Sequence, residues 1–148
     1  MKLPITGTKN MNAIDANVFL ELLLDQARAD ECDSLLKTVF TGKTQAVVSD
    51  FTIDGIIIAM ARNRIDCRKI RLFLLGIQTY KGLKVYHHSL NDKIKATILM
   101  EKTGLDLEDS LTLQCAVSSG CKGIVSLDSD FAKVKEIKKI DPKQAMKN

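Results

Sequence analysis

An apolar run that ends in two carboxylates constrains the fold of this chain more than any other stretch. It reads Gly123-Ile-Val-Ser-Leu-Asp128-Ser-Asp130-Phe131. A short apolar run of this kind indicates a buried strand, which should deliver both acids to its carboxyl end. Open α/β sheets place their active sites at that edge. The sequence therefore predicts an α/β sheet with acidic residues at the carboxyl edge of one strand.

Two further acids are expected at the same edge. The apolar pair Ala13-Ile14 ends in Asp15, and Asp109 lies on a helical pattern upstream of the Asp128 strand. Carboxylates this close raise one another's pKa unless a cation neutralises them. Oxygen ligands without cysteine or histidine favour Mg²⁺ or Mn²⁺ over zinc. We therefore expect Asp15, Asp109 and Asp128, with Asp130 beside them, to lie within reach of a single metal ion.

Each acid also has an ordinary structural explanation. Asp15 could cap the helix that begins near Asn17, and Asp128 could bond its own backbone in a turn. Asp106 is better placed than Asp109 to cap the following helix. Taken singly, each acid favours the structural explanation, but three acids at compatible strand and helix ends favour a site.

Strand and helix patterns alternate along the whole chain. Strands separated by one or two helices imply a parallel sheet with right-handed crossovers and helices on both faces. With 148 residues, 45% of them apolar, the chain suits a single domain, residues 1–148, with one core. Past Pro142 we expect a short polar tail, residues 143–148, that frays. The predicted strands are 9–14, 46–48, 83–86 and 123–126; the predicted helices are about 17–28, 33–40, 50–60, 66–77, 90–104, 107–119 and 130–135.

Charge and hydropathy narrow the setting. The 22 basic and 18 acidic residues leave a net charge of +4, which favours a polyanionic partner only mildly. No apolar run approaches the roughly 20 residues needed to cross a bilayer, and no signal-peptide core follows Met1-Lys2-Leu3-Pro4. We expect a cytoplasmic protein that does not associate with membranes.

Cysteine and histidine do not suggest a metal site. The four cysteines have no Cys-x-x-Cys spacing, so reduced and mostly buried thiols are expected. His87 and His88 are adjacent on a predicted strand, so they should point to opposite faces. We interpret them as ordinary surface or strand-end residues. The cysteines are Cys32, Cys67, Cys115 and Cys121.

Three motifs follow one another along the chain: Ile14-Asp15-Ala16-Asn17-Val18-Phe19, Leu107-Glu108-Asp109-Ser110-Leu111 followed by Ala116 and Gly120, and Ile124-Val125-Ser126-Leu127-Asp128-Ser129-Asp130-Phe131. In their residues, order and separation, these motifs resemble the PIN domain. The resemblance extends from about Ala13 to Ile140. It implies a three-layer α/β/α sandwich around five parallel strands that binds Mg²⁺ or Mn²⁺ and cleaves single-stranded RNA, as VapC toxins of prokaryotic toxin–antitoxin pairs do.

The resemblance also implies roles for individual residues. Asp15 and Asp109 would coordinate the metal, and Asp128 would complete the site with Asp130 as a neighbour. The metal would position and activate a water for attack on a phosphodiester. A homodimer and an antitoxin protein as partner are implied by the same resemblance. The candidates for substrate binding are Asn17 and Ser126, within the motifs, and Arg62 and Arg64, from a basic cluster that could equally be a solvated helix face.

One position departs from the family pattern. The family usually has a glutamate early in the helix after its second strand, as in Ser-x-apolar-Thr-x-x-Glu, and over Ser49 to Gly55 this glutamate falls on Gly55. Asp54 lies one residue away, about 100° around a helix. Either a shift of helix register lets Asp54 or Asp50 replace the glutamate as a catalytic acid, or the fourth ligand is missing.

Three function classes follow from these observations. The first is a metal-dependent endoribonuclease, the toxin of a toxin–antitoxin pair. The second is a catalytically weak or inactive protein of the same fold that binds RNA or docks in a ribonucleoprotein assembly, which Gly55 favours. The third is a phosphatase or phosphotransfer domain, but Asp15-Ala16-Asn17 lacks the second aspartate of an Asp-x-Asp phosphatase motif.

Overall fold

Five parallel strands form a single sheet at the centre of the protein. A computed structural model describes residues 10–146, so the predicted start of the first strand at Lys9 lies outside the described residues. The strand order is β3-β2-β1-β4-β5, and every neighbouring pair is parallel. The predicted parallel α/β sheet is confirmed. Its strands are β1 Asn12–Ile14, β2 Ala46–Ser49, β3 Leu83–Tyr86, β4 Gly123–Val125 and β5 Lys138–Ile140.

Among residues 10–146, seven α-helices and the 3-10 helix after β4 connect and cover these strands. Polar residues accept the first free backbone amides at several helix starts, among them Ser49 before α3 and Ser89 before α5. The first helix ends earlier than predicted, because Asp25 adopts a φ of 49° that an α-helix cannot accommodate. The helices are α1 Ala16–Leu23, α2 Ala29–Phe40, α3 Asp50–Arg62, α4 Cys67–Ile77, α5 Leu90–Thr103, α6 Leu107–Ser118 and α7 Pro142–Ala145, and the 3-10 helix is Ser129–Lys133.

The apolar core lies on both faces of the sheet because successive strand residues point in opposite directions. Ile14, Val48 and Val125 pack with residues of α1, α2 and α3 on one face. Their neighbours Ala13, Val47 and Ile124 pack on the other face. There, α6 contributes an almost continuously buried segment, residues 110–116. Helices on both faces make this the predicted three-layer sandwich.

The end of the chain differs from the fraying tail that we expected past Pro142. Residues Pro142–Ala145 form α7, which packs against α2, and Ala145 is only 2% exposed. Pro142 suits the first turn of a helix because its missing N–H has no intrahelical partner there. Asp141 N donates to Gln144 Oε1 at 3.0 Å, which helps to fix the start of α7.

The two adjacent histidines follow β3, and both rings lie within 4 Å of the Asp50 carboxylate, so the predicted opposite orientation on a strand is wrong, and His88 is not a surface residue. The His87 side chain is exposed, whereas the His88 side chain has no exposed area. His88 Nε2 lies 2.6 Å from Ser49 Oγ, so it supports the residue that caps α3. The hydrogen bond joins the carboxyl ends of β2 and β3, and only the tertiary structure reveals it.

The cysteines agree in part with the predicted mostly buried thiols. Cys32 and Cys115 are buried, Cys121 is half-buried and Cys67 is exposed.

Across residues 10–146, no helix combines the length and the apolar character needed to span a membrane.

A matched pair of glycine substitutions tests the packing between β3 and the preceding elements. A Cβ at Gly82 would collide with the backbone oxygen of Thr44 and lie 2.8 Å from that of Val39. A Cβ at Gly76 would meet no atom within 4 Å. We expect Gly82→Ala to lower the free energy of unfolding by at least ~2 kcal/mol. Gly76→Ala should raise it by roughly 0.5 kcal/mol because alanine favours the helix.

Urea unfolding followed by circular dichroism measures both changes. Equal stability of the Gly82→Ala variant and the unmodified protein would show that the chain relaxes freely around position 82.

Candidate active site

The carboxyl ends of β1 and β4 bring the acids of the first and last motifs together. β1 and β4 are neighbours, with Ile14 opposite Val125. The pairing continues one residue further, because Asp15 N donates to Val125 O at 3.0 Å. Asp15 therefore lies beside the loop that carries Asp128. The predicted adjacency of these two strand ends is present.

Asp15 is the most buried of the site acids, at 5% exposed. Its Oδ1 accepts the Ala16 backbone N–H at 2.9 Å, so the residue does cap α1. Its Oδ2 accepts from Ser126 Oγ at 2.8 Å and from Asn17 Nδ2 at 3.2 Å. Burial raises the pKa of Asp15 to about 6 against these hydrogen bonds, with smaller contributions from the charges of Glu108 and Asp128. The capping role and a place in the site thus coexist.

Asn17 and Ser126 hold Asp15 rather than face solvent. Asn17 Nδ2 donates to Asp15 and to Ser126 Oγ at 3.1 Å, and Asn17 Oδ1 accepts from Leu127 N at 3.1 Å. The Ser126 side chain is completely buried, which does not favour the direct contact with substrate that the sequence suggested. The amide of Asn17 is already engaged at both its nitrogen and its oxygen. Both residues act as positioning residues for Asp15.

Asp128 and Asp130 lie on the exposed loop after β4. Asp128 N donates to Ser126 Oγ at 3.0 Å, which connects this loop to the Asp15 network. Asp128 Oδ1 accepts from Asp130 N at 3.0 Å and so caps the 3-10 helix. The turn role considered for Asp128 is therefore present. It uses only one carboxylate oxygen, which leaves Oδ2 for another ligand.

Asp109 lies in the first turn of α6. The cap is Asp106, as predicted, whose Oδ1 accepts from Asp109 N at 2.8 Å. Burial is the largest cause that raises the pKa of Asp109 to about 7, and the charges of Asp15, Asp106, Asp128 and Asp130 raise it further. The charges of the acids in the first and last motifs therefore reach Asp109 in the second.

A polar cavity of about 330 Å³ opens beside Asp109. Asp106, Asp109 and Asp130 contribute its acidic wall, and Lys133 of the 3-10 helix contributes a basic group. The sequence reasoning did not single out Lys133. Its position two residues after the final motif, one turn of a 3-10 helix beyond Asp130, is the signal that could have identified it.

The site offers the ligand chemistry of a hard divalent cation without a closed ligand set. Across residues 10–146, no three His, Cys, Asp or Glu side chains are close enough together to hold a metal ion. The expectation that Asp15, Asp109 and Asp128 lie within reach of one metal ion is therefore not confirmed, although the three acids lie near the same edge of the sheet. Repulsion between like charges keeps such carboxylates apart, so binding would require them to draw together. Asp15, Asp109 and Asp128 form no ion pair with a basic side chain of the described residues. Carboxylate oxygens without a basic partner are ligands that suit Mg²⁺ or Mn²⁺.

The other predicted residues are not brought to this edge. Asp54 is exposed on α3 and has no hydrogen bond to the site acids. Arg62 ends α3 twelve residues after Asp50, or about 18 Å further along the helix axis. Because α3 starts at the carboxyl edge of β2 and runs away from it, Arg62 and the following Arg64 lie far from the acids. The structure does not place these arginines beside the acids, and substrate binding by them stays a prediction.

Known structures share this fold at low sequence identity. A toxin–antitoxin complex from Klebsiella pneumoniae aligns with a TM-score of 0.64 and 17% identity over 88% of this chain and 97% of the other. VapC20 of Mycobacterium tuberculosis, a sarcin-ricin loop cleaving toxin, aligns with a TM-score of 0.68 and 13% identity over 82% of this chain and 92% of the other. VapBC2 of Rickettsia felis, bound to a DNA fragment from its promoter, aligns with a TM-score of 0.65 and 11% identity over 88% of this chain and 98% of the other.

Sequence comparison gives the family directly. No curated protein sequence matches the chain significantly. The family profile of the PIN domain matches residues 13–137. This range includes all three motifs, strands β2 to β4 and all of β1 except Asn12. This chain belongs to the PIN domain family.

Proposed function

We propose that this protein is a metal-dependent endoribonuclease that cleaves phosphodiesters of single-stranded RNA. The observation that carries the proposal is the convergence of acidic side chains at the carboxyl edge of β1 and β4, where Asp15 follows β1 beside the loop that carries Asp128 and the charges of both raise the pKa of Asp109. Membership of the PIN domain family supports it, since PIN nucleases generally use divalent metal ions. Mg²⁺ or Mn²⁺ is the proposed cofactor.

The residues of the site have separate tasks in this proposal. Ser126 and Asn17 hold the Asp15 carboxylate in one orientation by donating to Oδ2. Asp109 and Asp128 approach from α6 and from the loop after β4 and contribute further oxygens, with Asp130 beside them. A bound Mg²⁺ or Mn²⁺ would activate the attacking water and offset charge that develops on the phosphate. Ligand carboxylates must be ionised, so binding releases the protons that Asp15 and Asp109 hold below their raised pKa values.

Lys133 is the proposed contact for the RNA backbone. Its side chain lines the cavity that Asp109 and Asp130 also line, so a phosphate placed near the acids would lie within its reach. A positive charge attracts phosphate without regard to base sequence. Lys133 therefore takes the role that the sequence suggested for Arg62 and Arg64.

We also propose that the protein is the toxin half of a toxin–antitoxin pair and acts as a homodimer. The similarity of fold to one toxin–antitoxin complex, to VapC20 and to VapBC2 supports an antitoxin partner. Large apolar side chains on α4, including Leu72 and Leu75, are exposed, as expected of a surface that another chain covers.

A binding protein with a damaged site is the second candidate. Gly55 is the observation that favours it, because the family pattern has a glutamate at this position. On this alternative the protein would bind RNA and leave it intact, whether or not a metal is present.

A cleavage assay separates the two candidates. Purified protein incubated with single-stranded RNA and Mn²⁺ should produce shorter fragments, and excess EDTA should abolish them. Addition of Mn²⁺ or Mg²⁺ in excess of the EDTA should restore cleavage. Bound but intact RNA in every sample would favour the binding protein, and cleavage that resists EDTA would contradict a metal mechanism.

A further inference from the structure

The position that lacks the family glutamate is filled by a carboxylate from a different helix. A Cβ built on Gly55 in α3 would lie 3.0 Å from Glu108 Oε1 and 3.6 Å from Glu108 Cδ. Real Cβ atoms seldom have contacts this short. The Glu108 carboxylate of α6 therefore occupies the space into which a side chain at position 55 would extend, and glycine leaves that space open.

The contact between α3 and α6 holds Glu108 in this place. Thr52, one turn before Gly55, has its Oγ1 3.4 Å from Thr112 Oγ1. Thr112 Oγ1 also donates to the backbone oxygen of Glu108 at 3.2 Å. Ser49 and Thr52 match the Ser and Thr of the family pattern, so α3 has kept the scaffold of the motif and lost only its acid.

Glu108 lies beside the acids already described. It is half-buried and directly precedes Asp109 on α6. No lysine, arginine or histidine of the described residues forms an ion pair with Glu108. A half-buried negative charge without a basic partner is unfavourable, and a bound cation would compensate it.

We propose that Glu108 is the fourth carboxylate of the metal site and replaces, from α6, the glutamate that the family pattern places at position 55 on α3. The acid has changed helices while its carboxylate has stayed in the same space. This inference rests on the proposed function, because it assigns a ligand to the same metal site. Asp54, which the sequence suggested as the replacement, is exposed and is not part of the ligand set.

Calorimetric titration of the full chain with Mn²⁺ alone tests this assignment without depending on catalysis. Glu108→Gln keeps the shape of the side chain and removes its charge, and we expect it to weaken Mn²⁺ binding at least ~10-fold. Loss of a group that supports a metal site typically weakens metal binding about 10- to 100-fold. Asp54→Asn is the matched control, since it removes one charge from α3, and its affinity should stay within about 2-fold. Unchanged affinity in Glu108→Gln, or a larger loss in Asp54→Asn, would overturn the assignment.

A swap of the two positions gives an independent answer. The double substitution Gly55→Glu with Glu108→Ala returns the acid to α3, and we expect it to bind Mn²⁺ more tightly than Glu108→Ala alone. This comparison decides the matter if Glu108→Gln fails to fold, and absence of any gain would count against the proposal. If the unmodified protein itself binds no Mn²⁺, the proposed function fails together with this inference. If the unmodified protein binds Mn²⁺ and the Glu108 variants bind it equally tightly, the proposed function stands and the inference alone is wrong.

Discussion

Replacement of Asp15 by Asn is expected to reduce metal-dependent RNA cleavage at least ~100-fold. A catalytic metal contributes several kcal/mol to stabilisation of the transition state, and each ~1.4 kcal/mol corresponds to tenfold in rate. Asp15 is the buried acid at the centre of the Ser126 and Asn17 hydrogen bonds. Asparagine removes the charge that a cation requires and also presents an NH₂ group to one of those donors.

The fold should survive this substitution. The asparagine carbonyl oxygen can still accept the Ala16 N–H that Asp15 Oδ1 accepts at 2.9 Å, so the cap of α1 is retained. The Ser126 hydroxyl already accepts from Asn17 Nδ2 and Asp128 N and offers only its O–H to position 15, so the new NH₂ group loses this one hydrogen bond while the cap remains. A far-ultraviolet spectrum and a melting temperature would confirm that loss of cleavage is not loss of structure.

The rate constant for fragment formation under single-turnover conditions measures the effect. Asp54→Asn serves as the control because this acid is exposed on α3, and it should cleave at the rate of the unmodified protein. Equal rates for Asp15→Asn and the unmodified protein would exclude the proposed mechanism.

The metal-free protein is expected to lose stability as the pH rises from about 4 to 8. The pKa of Asp15 is about 6 and that of Asp109 about 7 in the folded protein, against 3.8 for both when unfolded. The folded state therefore holds protons that the unfolded state has released, and stability falls with rising pH over that interval. For Asp15 the loss is about 3 kcal/mol at 1.36 kcal/mol per pKa unit. The loss for Asp109 is smaller than its shift suggests, because solvent screens a half-exposed carboxylate.

Urea unfolding in EDTA at pH 4 and pH 8 measures this loss. Asp109→Asn should match the unmodified protein at the lowest pH and exceed its stability by about 1 kcal/mol at pH 8, after allowance for screening. Asp54→Asn should follow the unmodified protein at both. A difference between Asp109→Asn and the unmodified protein that does not grow with pH would contradict the assignment.

Mn²⁺ should act in the opposite direction. At 100 times its dissociation constant a ligand that binds only the folded state adds about 2.7 kcal/mol. Because the ligands must be ionised, the gain should be larger at pH 8 than at pH 5. A gain that is equal at both pH values would mean that Mn²⁺ binds elsewhere.

The sequence was sufficient to predict which acids gather at one edge of the sheet. Apolar runs that end in Asp15 and Asp128 specify strands by their length and composition, and parallel strands bring their carboxyl ends to one edge. The helix cap at Asp106 was also predictable, because a cap depends on a few consecutive residues, and this cap is present.

Contacts between distant segments were not predictable in the same way. The basic residues Arg62 and Arg64 looked suitable for RNA, but the direction of α3 carries them away from the acids. Ser126 was a candidate for substrate binding as part of the last motif, yet the side chain is completely buried and donates to Asp15 on the neighbouring strand end. Each outcome depends on how one element is oriented against another, which a local pattern does not specify.

Position 55 best illustrates the division between the two kinds of information. By itself the sequence determined the sheet, its acidic edge, the family and the absence of the usual glutamate from α3, since all of these depend on short motifs in a fixed order. Only the tertiary structure decided that Glu108, 53 positions along the chain from Gly55, occupies the vacated space. The physical reason is that a carboxylate is defined for a cation by its place in space, and packing of α6 against α3 sets that place.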